Sequence, residues 1–240
     1  MHDSDLGEDV GTLLAFALNP RSRPGQEPVY DELLRRFRSE APLRALFLAV
    51  LRGLGLTLLD AGEHGMVLGA NEDSLFALRL ADYRQNMSTE DRLCHGLVQL
   101  AIAAWCFPTA QSLADPEAVV FQLSTSRVVR YLVDLCTTLK ARGEVDSELG
   151  TPELREAWRA VLERAETRST PDGRRAPHTL VGMVAYALAS LERGGLLRRV
   201  SDDEGGTYRT LFAYRVQVRE LGVHRAFALV QEARRTLGTI

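Results

Sequence analysis

No stretch of this 240-residue chain approaches the roughly 18 consecutive apolar residues that a membrane-spanning helix requires. It does not open as a secretory signal would, because Met1-His2-Asp3-Ser4-Asp5 is acidic where such a signal is basic. A cytoplasmic protein with no membrane partner is expected. Cysteine is scarce: Cys94, Cys106 and Cys136 lack CxxC spacing and sit in apolar helical patterns, which points to buried thiols rather than disulfides or ligands. The catalytic signatures HExxH, GxSxG and GxxxxGK[ST] are missing, and no two of His64, His95, His178 and His224 share the i, i+4 spacing of a helical metal site. Cys94 and His95 are adjacent, and neighbouring positions on a helix point about 100 degrees apart, so they cannot face one another as a nucleophile and its base. The run Asp202-Asp203-Glu204 lacks the ligand spacing of a calcium loop and reads as a solvated turn. The expectation is therefore a protein that is not an enzyme, with no catalytic residue, metal or cofactor.

Positive charge is also thin. The formal net charge is −3, with 17 acidic against 10 basic residues in 1–120 and 15 against 19 in 121–240. The second half is the better candidate for touching a polyanion, but an excess of four cations is mild for a dedicated nucleic-acid binder.

What is present is a soluble globular composition, 45% hydrophobic and 25% charged, enough for one large core or two modest ones. Residues 177–219 are the most informative. Pro177 suits a first helical turn, and Leu180, Met183, Val184, Ala187, Leu188 and Leu191 follow at three- and four-residue spacing. Gly194-Gly195 supplies a helix stop. A strand 196–200, the polar turn 201–206 and a second strand 207–219 come next, with Tyr208, Thr210, Phe212, Tyr214, Val216 and Val218 on one face and Arg209, Leu211, Ala213, Arg215, Gln217 and Arg219 on the other. A helix leading into a hairpin is the closing half of a winged helix.

Upstream, helices are expected over 6–18, 30–37, 43–54, 92–107 and 126–139, with a short strand at 118–123. Ser88 with Asp91 resembles a capping box, Thr151-Pro152-Glu153 opens another helix, and Gly143 reads as a stop. Pro20, Pro24 and Pro28 mark a linker, 168–176 a polar loop, and 223–237 a trailing helix. Leu56-Thr57-Leu58-Leu59, the turn 60–65 and Met66-Val67-Leu68 form a second hairpin behind a pair of helices. The expected class is mainly α with short β-hairpins, α+β, built as tandem winged helices: 1–28 an N-terminal helix and proline-rich linker, 29–123 a first winged helix with an added helix, and 124–240 a second with its trailing helix.

Arg174, Arg175, Arg198, Arg199 and Arg209 are the candidates for contact with a DNA backbone; the alternative is that they are solvated or paired with Asp202, Asp203 and Glu204. The helix 179–192 has only Thr179, Tyr186, Ser190 and Glu192 as polar residues, with neither a basic side chain nor an amide to reach a base edge. It reads as a helix that packs against protein.

The element order and the string LRALFLAVLRGLGLTLLDAGEHGMVLG resemble the tandem winged-helix subunits that bind kleisins in bacterial SMC complexes, of the MukE or MksE type and their Wadjet relatives. That resemblance implies a homodimer that binds a kleisin beneath the SMC ATPase heads, helps to hold double-stranded DNA without sequence specificity, and is nucleoid-associated in chromosome segregation or plasmid defence. The proline-rich segment 19–28 and the weak positive charge depart from it. A winged-helix transcriptional regulator is the alternative, and needs base-reading side chains. A third reading, a ligand-binding or enzymatic helical protein, needs a polar pocket around His95 and Cys94.

Overall fold

The computed structural model describes residues 3–77, 80–115, 122–145, 151–166 and 178–221. It is mainly helical with small antiparallel sheets, the coarse α+β class expected. The chain divides into two compact units, Met1–Asp82 and Tyr83–Ile240.

The first unit runs α1 (Asp3–Leu18), a single 3-10 turn at Pro24–Gln26, α2 (Pro28–Ser39), α3 (Ala41–Gly53), β1 (Leu56–Gly62) and β2 (Gly65–Ala70). Prolines occupy the first turns of α2 and α3, where a missing N–H costs nothing. Val10 and Leu13 of α1 share one core with Tyr30, Leu33, Leu34 and Phe37 of α2 and with Leu43, Phe47 and Leu51 of α3. The N-terminal helix thus packs with the elements that follow the prolines. In the hairpin Gly62 pairs with Gly65. Gly65 has φ +103°, and a Cβ there would lie 2.8 Å from the Tyr30 hydroxyl, which accepts a 2.7 Å hydrogen bond from the Met66 N–H. Tyr30 in this way ties α2 to the start of β2.

After α4 (Leu80–Tyr83), the second unit runs α5 (Thr89–Cys106), α6 (Ala110–Ala114), β3 (Leu123–Ser124), α7 (Thr125–Val145), α8 (Pro152–Glu163), α9 (Leu180–Arg193), β4 (Leu197–Ser201), β5 (Thr207–Thr210) and α10 (Phe212–Leu221). The division falls within α4. Helix α5, expected inside 29–123, buries Cys94, Leu97, Val98, Ala101 and Ile102 in one core with Val128, Leu132 and Leu135 of α7, Trp158 of α8 and Met183 and Leu188 of α9. Ser88 caps α5 by accepting from the Asp91 N–H at 3.0 Å, and Thr151 caps α8 by accepting from Leu154 N–H at 3.3 Å. The three cysteines are free and buried.

Several expectations are corrected. Only Thr207–Thr210 of the long second strand forms: Leu197 pairs with Thr210, and beyond it the glycines that close α9 leave no partner strand. Residues 212–221 instead continue as α10, which buries Tyr214, Val216, Val218 and also Arg215, expected on an outward face. Gly143 lies inside α7, where an added Cβ would stand 3.1 Å from the Trp158 ring, so it permits close helix packing and is not a stop. Helix α9 starts at Leu180 with Thr179 as its cap. Pro177, the loop 168–176, the trailing helix 223–237 and most of the strand expected at 118–123 lie outside the described residues. What is seen of that strand, Leu123–Ser124, pairs with β5, giving the sheet order β3-β5-β4.

Candidate functional site

The hairpin after α9 holds the described candidates. Gly195, at φ +67°, closes the helix. The chain then enters β4, where buried Leu197 alternates with exposed Arg198. Strand β4 is an edge, because β5 lies between it and β3.

The three described arginines have different fates. Arg199 stands opposite buried Tyr208, its guanidinium 6.0 Å from the ring centroid and 2.6 Å from Asp202. It therefore belongs to the hairpin's own structure, the paired alternative foreseen for these residues. Arg198 and Arg209 are directly opposite one another in the strand register, and both are exposed. Among the described residues, neither side chain has a hydrogen bond, ion pair or ring contact. Beside them Val200 is 52% exposed. Arg174 and Arg175 lie outside the described residues.

The acidic turn is consumed internally. Asp202 holds Arg199, and Asp203 accepts from Ser201 Oγ at 2.9 Å. Glu204, at φ +51°, reaches across to the start of α7. Its carboxylate accepts from Ser124 Oγ at 2.5 Å and meets Arg127 Nε at 3.0 Å. Ser126 Oγ donates to the Glu204 carbonyl and Thr125 Oγ1 to that of Gly205. The hydrogen bond from Ser124, with Arg127 beside it, holds the Glu204 carboxyl below the usual range against a smaller opposing effect of burial. The turn is thus latched to α7 through Glu204 and Gly205, and none of its three carboxylates is paired with Arg198 or Arg209. Arg127 was not foreseen; its partner lies 77 residues away, a separation that no local pattern reports.

Helix α9 packs against α5, α7 and β4; its side chains from Val181 to Glu192 are buried or half-buried, and Arg193 at its end is exposed.

The third reading asked for a pocket around His95 and Cys94. His95 is 1% exposed, and both ring nitrogens are already bonded: Nδ1 to the Tyr83 hydroxyl and Nε2 to Arg84 NH1, each at 2.9 Å. A guanidinium only donates, so Nε2 must accept and the proton sits on Nδ1, donating to Tyr83. Tyr83 and Tyr186 stand edge-on to the ring, and the Tyr186 hydroxyl donates to the Tyr83 carbonyl. Burial, then Arg84, pushes the His95 pKa down to about 4. Burial pushes the Cys94 thiol up to about 11, the wrong direction for a nucleophile. No nitrogen of His95 is left for a substrate, so the cluster is a clasp joining Tyr83 and Arg84 to α5 and α9.

A second buried network ties α8 to α5. Arg164, just past the end of α8, contacts Asp91 Oδ1 at 2.7 Å, Glu90, and the carbonyl of His178 at 3.2 Å. Asp91 gives its N–H to the Ser88 cap and its carboxylate to Arg164, so only half of the foreseen capping box forms. Among the described residues no group of three or more His, Cys, Asp or Glu is placed to hold a metal, and no helix is long and apolar enough to cross a membrane.

No protein-family model matches the chain, and no curated protein or solved structure matches it.

Proposed function

We propose that this protein is a non-catalytic, dimerising, kleisin-binding subunit of an SMC-like complex of the MukE or MksE kind, which organises DNA or defends against plasmids and touches duplex DNA through its backbone alone. One observation carries the reading. The helix in the recognition position has no exposed side chain before its last residue, Arg193, while the hairpin behind it presents two arginines whose side chains have no partner among the described residues. A helix whose polar side chains are buried or half-buried over most of its length is poorly placed to reach base edges, whereas cations on a strand face can meet phosphates of any sequence. The units α2-α3-β1-β2 and α7-α8-α9-β4-β5 are read as tandem winged helices, an assembly of protein-docking modules. In the first unit α3 turns Ala45, Leu46 and Ala49 outward, an apolar strip suited to the dimer contact. Partners are then a second copy, the kleisin and, through it, the SMC ATPase.

The test is co-expression with the kleisin and SMC ATPase encoded in the same genome, followed by light scattering on the purified protein. A dimer that co-purifies with the kleisin and binds two unrelated duplexes equally is expected. A strict monomer that never retains the kleisin sinks the proposal, and strong preference for one duplex moves it towards the regulator.

A further inference from the structure

We infer that Arg198 and Arg209 form a clamp for a single phosphodiester, and that filling it removes a repulsion built into the empty hairpin.

The argument begins with register. Directly opposed residues of an antiparallel pair have their Cβ atoms about 4.5–5.5 Å apart, and like charges there destabilise the pair. Arg198 and Arg209 occupy such positions, on the face away from buried Leu197 and Tyr208. Opposed cations on an edge strand are tolerable if an anion spends part of its time between them. Among the described residues no carboxylate is paired with either arginine: Asp202 meets Arg199, Asp203 accepts from the Ser201 hydroxyl, and Glu204 meets Ser124 and Arg127. The hairpin therefore keeps its carboxylates turned to its own frame while leaving one cation pair open. Two planar guanidinium groups at this spacing can each donate to the oxygens of the same phosphate.

A free phosphate and a nucleic-acid backbone share that chemistry. The backbone as ligand rests on the function proposed above, whereas the clamp itself does not. Arg199 is excluded from it as a positioning residue that stacks on Tyr208 and holds the turn.

The intact chain serves for the test, with a mixed-sequence duplex and, separately, inorganic phosphate as probes. Arg198→Gln and Arg209→Gln each weaken duplex binding at least fivefold, while Arg159→Gln, which removes an exposed charge from α8, changes it less than twofold. The double variant lowers the slope of log affinity against log salt by about 0.9, the signature of one phosphate. Arg209→Glu raises the melting temperature, because repulsion becomes attraction, and abolishes the protection that the duplex gives to the amides of β4 and β5.

A slope change of about 1.8 means two separate phosphate contacts and overturns the clamp. So does an Arg159→Gln loss equal to the others, or an Arg209→Glu variant less stable than the parent. Protection by inorganic phosphate equal to that by the duplex keeps the clamp and identifies a free anion as its ligand. Loss of kleisin binding in the earlier experiment removes the proposed function and leaves these outcomes untouched.

Discussion

Breaking the Asp91–Arg164 pair from one side or the other should have unequal costs. The two side chains are 9% and 11% exposed and 2.7 Å apart. Removing one member of a buried pair costs about 3–5 kcal/mol because the other is left charged in a poor solvent, whereas replacing both with apolar groups can be nearly neutral. Arg164→Met strands the Asp91 carboxylate, whose remaining basic neighbour, His178 Nδ1, is 3.6 Å away on a side chain 68% exposed. A loss of about 3–5 kcal/mol is expected. Asp91→Ala strands Arg164 less severely, since Glu90, 57% exposed, and the His178 carbonyl still receive it. About 2 kcal/mol is expected there. The double variant should cost less than Arg164→Met alone.

Urea unfolding followed by far-ultraviolet circular dichroism measures all three. pH adds an independent check. Burial by itself would raise the Asp91 pKa, but the hydrogen bonds from Arg164 and Ser88 outweigh it and hold it below its ordinary value. A carboxyl depressed in the folded state contributes stability that is full above its unfolded pKa and is lost as pH falls through the folded one. Arg164→Met leaves the burial effect with a much weaker opposition, chiefly from Ser88, so its deficit should shrink on acidification. Single losses under about 1 kcal/mol, or a double loss equal to the sum of the singles, would refute the reasoning.

Two further perturbations test the packing of each unit. A His held near 4 in the fold, against about 6.5 when unfolded, withdraws up to about 3 kcal/mol as pH falls from about 6.5 to about 4, because the unfolded chain binds the proton first. His95→Gln, which can still accept from Arg84 and donate to Tyr83, should flatten the dependence of the urea midpoint over that window; an unchanged slope places the titration elsewhere. In the first unit, Tyr30→Phe orphans the buried Met66 N–H at a cost of about 1–3 kcal/mol. Faster hydrogen exchange at Met66 accompanies it, and exchange identical to the parent would show that the bond carries no weight.

Where the physics is local, the elements were legible. Ser88 and Thr151 cap the helices that their types announce, and the spacing of Leu180, Met183, Val184, Ala187 and Leu188 yields a helix buried on that face. Where the controlling partner is distant, reading failed. The alternation from Tyr208 to Val218 suits a strand, yet a strand persists only while another lies beside it, and β4 begins only at Leu197, opposite Thr210. Leu123 and Ser124 pair with residues more than 80 positions on. Gly143 looked like a stop because its reason for being glycine is the Trp158 ring on another helix. In the site, alternation alone could make Arg198 and Arg209 outward, but their direct opposition needed the register. Pairing with Asp202 was the alternative that the sequence offered, but only the fold shows that Arg199, three residues before it, is the arginine that takes it.

The latch at Glu204 bears on the surroundings of the same two arginines. A non-glycine residue at φ +51° is uncommon, and it persists here because two hydroxyls and Arg127 hold it from the far side. The latch draws the turn's carboxylate towards α7, and the bulge between Arg199 and Ser201 lets β4 bend to follow. Without it, Glu204 would be free to fold back over β5 and neutralise Arg209. Of the acids that the sequence offered as partners for these arginines, Asp202 takes Arg199 and Glu204 takes Arg127, so among the described residues Arg198 and Arg209 face solvent with no carboxylate paired to either.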